Sequence, residues 1–383
     1  MRALVLSAAN TRGAYSAIRR LHEAGWIVSV GTTDPGGLVS WSRRANDVYV
    51  IPRPERGIDR FLGAVEAAIR ASGAEVVFPS DDADLLALSR GRDQISAVVP
   101  LASDDVVYRI VDKLELVRAA RKAGLSAPDT RVATDHDFRE VTYPVVVKAR
   151  FHWQPEHLSG APARLVATVC DTPASAIVCA DLMRQHGAEP LLQEHVDGIP
   201  INLHLVADRS SDVLAIDQQE SQKLFYPPRA GLRLRTATVA IDPELESGVR
   251  KLIADSKWFG FAGIAFLRGD DGVQRLIDFN GRIPAFLEAS AGAGPNYIAA
   301  WAALATNRPV ADLQPARLGT RAHWLEGDLR RAFRERRGGV VRDVMGSLAY
   351  SVGATHTVLK RDDLLVAARY SLRLLRQSRY AHR

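Results

Sequence analysis

One short segment near residue 280 carries three side chains that suit nucleotide chemistry. Asp278, Asn280 and Arg282 are spaced two residues apart, so in a β-strand they point to one side, and the apolar residues between them point to the other. Carboxylate and amide oxygens suit a hard cation such as Mg²⁺, and a neighbouring arginine suits a phosphate oxygen. The alternative is an ordinary amphipathic strand with an ion pair between Asp278 and Arg282.

A lysine ends the apolar run Pro-Val-Val-Val-Lys at residues 144–148. Burying the stem of Lys148 is favourable only if its ammonium group meets an anion or water. Another charged residue, Asp81, follows the apolar run 76–78, and ligands of open α/β sheets bind at the carboxyl ends of strands. Asp81 is therefore a candidate for substrate contact, and the alternative is a helix N-cap.

The elements that position these residues follow from hydrophobic periodicity. In the first hundred residues, short apolar runs alternate with helical spacing, which predicts a parallel, doubly wound α/β sheet. The first turn, residues 7–13, has one glycine instead of three, which disfavours a Rossmann oxidoreductase. Later strands, a helix at 112–124 and a hairpin turning at 269–272 predict an α+β region.

The net charge of +6 is unevenly distributed along the 383 residues. Residues 329–383 contain thirteen basic and four acidic side chains, a net charge of +9, which leaves −3 for residues 1–328. A mildly acidic body disfavours nucleic acid as a partner. The two cysteines, Cys170 and Cys179, are too few for a disulfide framework and stand in no zinc-ligand spacing, and we find no signal-peptide pattern, so we expect a cytoplasmic protein.

Four motifs follow one another in a characteristic order: Asp-Lys at 112–113, the strand ending in Lys148, Gln-Glu-x-Val-x-Gly at 193–198, and Asp-Phe-Asn-Gly-Arg at 278–282. This order resembles the ATP-grasp superfamily, in particular its carbamoyl-phosphate-synthase-like branch of carboxylate–amine ligases. The resemblance covers roughly residues 1–310. It implies an ATP-grasp fold with an N-terminal Rossmann-like pre-ATP-grasp domain, followed here by a C-terminal helical extension.

The resemblance implies roles for the charged residues of these motifs. Lys113 and Lys148 are similar to the two lysines that neutralise ATP phosphates. Arg282 is similar to the arginine that steadies the transferring phosphoryl group, so Arg282 and Lys148 are the expected catalytic residues. Asp278 and Asn280 are similar to the Mg²⁺ ligands, and Mn²⁺ is an alternative metal.

The resemblance also implies an adenine-binding hinge. Gln193, Glu194 and Val196 are similar to that hinge, and Asp197 or Asn202 is expected near the ribose. Two further residues, Arg233 and Arg235, are candidates for clamping a substrate carboxylate, and a basic strand face is an equally weighted alternative.

Two departures from the family pattern bear on activity. Family members usually carry an acidic metal ligand where this chain has Ala265, which we expect opposite Leu276 and on the Asp278 face. The phosphate flap at residues 150–164 has one glycine and two prolines instead of a glycine-rich loop, with Arg150, His152 or Arg164 as possible donors. We expect His152 to be a surface residue.

The expected domains are residues 1–103 (pre-ATP-grasp), 104–190 (lid), 191–312 (metal-binding) and 313–383 (basic, mainly helical). The expected function is an ATP-dependent ligase that activates a carboxylate as an acyl phosphate and joins it to an amine; the alternative is a nucleotide-binding pseudoenzyme or regulatory protein. The expected partners are small carboxylates and amines, and a homodimer is compatible with this interpretation. Residues 362–379 predict an amphipathic helix with a stripe of Leu364, Ala368, Leu372 and Leu375, which favours docking on the protein itself over a membrane surface.

Overall fold

The computed structural model describes residues 1–7, 11–153, 165–225, 232–336 and 338–380. Within these ranges the strands form three sheets, of four, four and seven strands. The parallel sheet near the N-terminus and the later antiparallel hairpin, both predicted from the sequence, are present.

The first sheet is parallel, in the order β3-β2-β1-β4. Its central strand β1 is buried from Ala3 to Ser7, as a near-continuous apolar run predicts for a strand covered on both faces. Asp81 caps the third helix, because its side chain accepts a hydrogen bond from the Asp84 amide. The elements are β1 (Arg2–Ser7), α1 (Thr11–Glu23), β2 (Ile27–Thr32), β3 (Ala45–Val50), α2 (Ile58–Ser72), β4 (Val76–Phe78) and α3 (Asp82–Arg90).

The second sheet is antiparallel, in the order β5-β8-β6-β7, and has a hydrophobic core of its own that includes Phe138, Val147 and Leu192. Its last strand extends to Glu194, so the domain limit predicted at residue 190 falls inside a strand that pairs with β6. The elements are β5 (Thr130–Val132), α6 (Asp137–Glu140), β6 (Val145–Ala149), β7 (Thr168–Cys170), α7 (Pro173–Gln185) and β8 (Pro190–Glu194). Two helices precede them, α4 (Asp104–Val111) and α5 (Lys113–Lys122).

The third sheet has the order β13-β12-β9-β10-β11-β14-β15, where β14 is Arg321–His323 and β15 is Thr355–His356. It shares one hydrophobic core with the first sheet. Both α4 and α5 pack on its edge strand β13. The elements up to residue 305 are β9 (Gly198–Ala207), β10 (Val213–Leu224), β11 (Arg233–Val239), α8 (Pro243–Ser256), β12 (Gly260–Gly269), β13 (Gln274–Asn280), α9 (Leu287–Ala293) and α10 (Tyr297–Ala305).

The C-terminal residues add two strands to this sheet and three helices beside it. They are β14 (Arg321–His323), α11 (Leu325–Glu335), α12 (Val340–Ser351), β15 (Thr355–His356) and α13 (Leu364–Tyr380). Helix α13 docks on the protein, as predicted, but through Val366, Ala367, Tyr370 and Leu374. The predicted stripe was wrong, because Leu364 and Leu372 are exposed and the buried face is rotated from them. No helix among the described residues is long and apolar enough to cross a membrane.

Candidate active site

One pocket is lined by side chains from helices α3 and α5, from the segment after β6 in the second sheet, and from β13 in the third sheet. Asp82 comes from α3, Lys113 from α5, His152 from the segment after β6, and Asp278 from β13. Phe151, Trp153 and Phe279 supply apolar walls. Two predicted residues that lie 165 positions apart in the sequence, Lys113 and Asp278, therefore share one pocket.

The two predicted phosphate lysines lie close enough to affect each other's charge. Burial and, to a smaller extent, the positive charge of Lys113 lower the pKa of Lys148 to about 7, and Asp278 opposes both effects. The Lys148 ammonium donates a long hydrogen bond of 3.5 Å to the Ile277 carbonyl. Two buried ammonium groups beside one carboxylate favour binding of an anion, because an anion lowers their mutual repulsion.

The carboxylate of Asp112 links the segments that carry these lysines. Its oxygen accepts hydrogen bonds from the Leu114 and Glu115 amides and so caps α5, which begins at Lys113. The same carboxylate pairs with Arg150, two residues after Lys148, at 2.7 Å. The Lys113 amide also donates to the Arg150 carbonyl. Asp112 therefore fixes the start of α5 against the end of β6.

Asp278 and Asn280 lie on one face of the sheet, as their spacing predicts. Asn280 pairs with Gly263 on the neighbouring strand, and Asp278 pairs directly with Ala265. The predicted pairing of Ala265 with Leu276 was wrong, because a β-bulge shifts the register between Ala265 and Phe266. Residues directly opposite each other share a face, so Ala265 still lies on the Asp278 side.

Asn202 lies in the same row as Asp278. It pairs with Ala265 from the other side, so Asn202, Ala265 and Asp278 line up across β9, β12 and β13. The buried Asn202 side chain therefore shares a face of the sheet with Asp278. Sequence spacing alone could not show this, because it depends on which strands are neighbours.

Arg282 is held by a residue of the first domain. Its Nε donates to Asp82 Oδ1 at 3.0 Å, and His152 Nδ1 lies 3.3 Å from Asp82 Oδ2. Burial by itself would lower the pKa of Arg282, but Asp82, Asp278 and Asp81 outweigh it and raise that pKa. The expectation that His152 is a surface residue was wrong, because its side chain is 13% exposed and lines the pocket.

The predicted hinge residues join the second and third sheets. Gln193 is buried, and its side-chain amide donates to Thr130 Oγ1 at 2.8 Å. Glu194 is the last residue of β8, and its side chain accepts from the Asp129 amide. Val196 and Asp197 follow in the connection to β9, where the Asp197 side chain is 90% exposed.

The substrate candidates differ in what they already contact. Asp81 acts as the helix cap, which was the alternative for it. Arg235 is paired with the fully buried Asp328 at 2.6 Å, whereas Arg233 forms no such pair among the described residues. Arg164 lies outside the described residues, so the structure describes only residues 150–153 of the predicted phosphate flap.

Asp82 and Arg12 were not among the site residues predicted from the sequence. Asp82 directly follows the candidate Asp81 in the sequence, and its role in the site is shown by the hydrogen bond that it accepts from Arg282. Arg12 lies outside the four sequence motifs. Asp82 reaches Arg282 because the first and third sheets share one core, which sequence spacing does not reveal.

The metal-binding interpretation fits the donors present. Asp278 and Asn280 offer a carboxylate and an amide oxygen on one face, and Asn202 lies in the same row. Within the described ranges, no group of three or more His, Cys, Asp or Glu side chains converges as a metal cluster would. These donors suit a cation that takes its remaining ligands from phosphate oxygens and water, as Mg²⁺ does.

Several solved structures share this fold. The biotin carboxylase domain of 2-oxoglutarate carboxylase from Hydrogenobacter thermophilus, solved with MgADP, ADP and bicarbonate, has a TM-score of 0.63 at 15% identity, over 84% of this chain and 73% of that one. L-amino acid ligase from Bacillus licheniformis has a TM-score of 0.60 at 12% identity, over 80% and 74%. N5-carboxyaminoimidazole synthetase from Staphylococcus aureus has a TM-score of 0.59 at 11% identity, over 83% and 80%.

These three structures belong to ATP-grasp proteins, so the chain has the ATP-grasp fold that its motifs predict. Neither a family model nor a curated protein matches the sequence itself.

Proposed function

We propose that this protein is an ATP-dependent ligase that joins a carboxylate to an amine and releases ADP and phosphate. The observation that carries the proposal is that Lys113 and Asp278 line one pocket and their charges both act on the buried Lys148, while Arg282 pairs with Asp82 of the pocket lining. The fold supports the same conclusion, because the three similar structures are those of a biotin carboxylase domain, an L-amino acid ligase and an N5-carboxyaminoimidazole synthetase.

The proposed reaction has two steps. A substrate carboxylate oxygen takes the γ-phosphoryl group of ATP, so that an acyl phosphate forms and ADP leaves. The amine nitrogen then attacks the acyl carbon, loses a proton and displaces phosphate, which forms an amide or peptide bond. Lys113 and Lys148 would neutralise phosphate oxygens, and Arg282 would stabilise the charge on the transferring group.

The metal would be held by Asp278 and Asn280. Mg²⁺, or Mn²⁺ in its place, would neutralise phosphate oxygens during the transfer. The adenine would contact the hinge at Gln193, Glu194 and Val196, with Asp197 towards solvent. We also propose small-molecule substrates and a cytoplasmic location, because both cysteines are free thiols, as a reducing compartment maintains them.

The proposal is tested by substrate-dependent ADP release with trapping of the acyl phosphate by hydroxylamine. A panel of paired carboxylates and amines should contain at least one pair that releases ADP and phosphate and gives a hydroxamate. Lys148→Ala should lower that rate by about a hundredfold or more while the protein stays folded. Lys251→Ala, which removes an exposed lysine paired with Asp255 on α8, is the matched control and should leave the rate unchanged.

A second candidate function is nucleotide binding without turnover. Ala265 supports it, because the residue directly opposite Asp278 lacks the carboxylate that family members usually have. This candidate predicts saturable ATP binding with no ADP release across the whole panel. Hydroxamate formation by the wild-type protein would exclude it.

A further inference from the structure

Arg12, near the start of α1, stacks on an aromatic side chain. Its guanidinium carbon lies 3.6 Å from the centre of the Trp324 ring and 5.6 Å from the centre of Phe286. The nitrogen Nη1 is buried and has no hydrogen-bond partner among the described residues. The aromatic contacts hold the guanidinium in place but give Nη1 no hydrogen-bond acceptor.

Arg233, the first residue of β11, approaches the same phenylalanine. Its guanidinium carbon lies 5.4 Å from the centre of Phe286, and its Nη1 is also buried without a partner in the described chain. Burial lowers the pKa of Arg233 to about 10, and the positive charges of Arg12 and Arg282 act in the same direction. Three arginines from different elements thus lie near one another.

Among the described residues, neither Arg12 nor Arg233 forms a salt bridge with a carboxylate, in contrast to other buried arginines. Arg235, two residues further along β11, is paired with Asp328. Glu326 is a carboxylate whose charge acts on Arg12, but burial raises the pKa of Glu326 to about 7, and its Oε2 has no hydrogen-bond partner within the described ranges. Buried donors without acceptors destabilise a protein, so a site that keeps them is suited to an anion that supplies the acceptors.

We propose that Arg12 and Arg233 form a subsite for an oxyanion, a carboxylate or a phosphate, of one of the ligase substrates. This inference rests on the proposed function. Arg282 is engaged by Asp82 in the phosphoryl-transfer site, and its charge acts on Arg233. The subsite therefore lies beside the reacting centre, and one substrate carries an anionic group in addition to the carboxylate that is phosphorylated.

The test measures anion binding in the absence of ATP, by calorimetry and by thermal unfolding of the full chain. The probes are inorganic phosphate and glutarate, with the neutral glutaramide as control. Arg12→Gln and Arg233→Gln should each weaken binding of the preferred anion by about tenfold or more, because a charge-assisted hydrogen bond is lost. Arg209→Gln is the matched control, since Arg209 also stacks on an aromatic ring, Phe259, but is exposed.

ADP binding separates this subsite from the nucleotide site. Arg12→Gln and Arg233→Gln should keep the ADP affinity within about twofold, whereas Lys148→Ala should lose ADP affinity and keep glutarate or phosphate binding. A preference for glutarate assigns a carboxylate, and a preference for phosphate assigns a phosphate. Because no turnover is measured, a failed ligase assay leaves this result intact, and a failed anion assay leaves the ligase proposal intact.

The unfolding temperature distinguishes an anion-binding role from a structural role, because losing a structural contact would lower it. Removing a buried, unpaired charge should leave the unfolding temperature of the ligand-free variants equal to or above that of the wild type. Arg12→Lys, which retains the charge, should retain part of the anion binding. The proposal is overturned if neither probe binds, if binding is unchanged in both glutamine variants, or if both variants unfold at lower temperature.

Discussion

The buried Lys148 side chain lies where its surroundings disfavour the charged ammonium form. Lys148 is only 4% exposed, and its pKa falls to about 7 because burial and Lys113 both disfavour the ammonium form. The same conditions favour a triphosphate, whose oxygens would restore the charged form. At the scale of the residue, the site is therefore organised for binding an anion, and the proposed metal site has Ala265, without a carboxylate, directly opposite Asp278.

Restoring an acid at that position should strengthen metal binding. In Ala265→Glu a second carboxylate lies beside Asp278, so the Mg²⁺ concentration for half-maximal ATP binding or turnover should fall, on the order of tenfold. Ala265→Gln has a similar volume and no charge and should show no such change. Equal Mg²⁺ dependence in the wild type and Ala265→Glu would mean that residue 265 does not face the metal.

At the scale of elements, one carboxylate connects the C-terminal residues to the third sheet. Asp328 on α11 is fully buried and pairs with Arg235 on β11 and Arg331 on its own helix, and His323 on β14 lies 3.1 Å away. Arg331 continues the network to Asp343 on α12. These pairs explain how α11, whose own sequence is strongly charged, and α12 are fixed against the sheet.

Removing this carboxylate should destabilise the protein strongly. Asp328→Ala removes the carboxylate paired with Arg235 and one of the carboxylates paired with the buried Arg331, so the free energy of unfolding should fall by about 3–5 kcal/mol. Urea unfolding measures the change. The exposed pair of Asp271 and Arg275 is the control, and Asp271→Ala should change stability little because solvent screens that pair. Equal effects of the two variants would contradict this assignment.

At the scale of the whole molecule, a polar network lies inside the third sheet beneath α9 and α10. Asp217 is 4% exposed and accepts a hydrogen bond from Gln219, which also contacts His204 and Ser290. Burial raises the pKa of Asp217 to about 6, from a model-compound value of 3.8. Because the folded state binds the proton more tightly than the unfolded state, stability from this group is present at low pH and is lost as pH rises through about 6.

The sign of this effect can be measured with Asp217→Asn, which cannot ionise. The free energy of unfolding of the variant relative to the wild type should increase between pH 4 and pH 7, by up to about 3 kcal/mol. Urea unfolding at several pH values provides the comparison. Asp255→Asn is the control, because a hydrogen bond from Lys251 lowers the pKa of Asp255 and reverses the sign. A difference that stays constant with pH would contradict the prediction.

The sequence by itself determined the parts that depend on local pattern. Alternating periodicity predicted the strand with Asp278 and Asn280, the apolar run predicted the strand ending in Lys148, and the order of motifs predicted the ATP-grasp fold. These features are readable because strand and helix periods are imposed by the backbone and recur wherever the residues are placed.

Only the tertiary structure decided which distant residues meet. The bulge that pairs Ala265 with Asp278, the contact of Asp82 with Arg282, and the approach of Arg12 to Arg233 have no local signal. The buried face of α13 was also decided by what it packs against, because several stripes of that helix are apolar enough to be buried. Register, ion pairing and helix rotation depend on interactions between elements, and a single segment does not encode them.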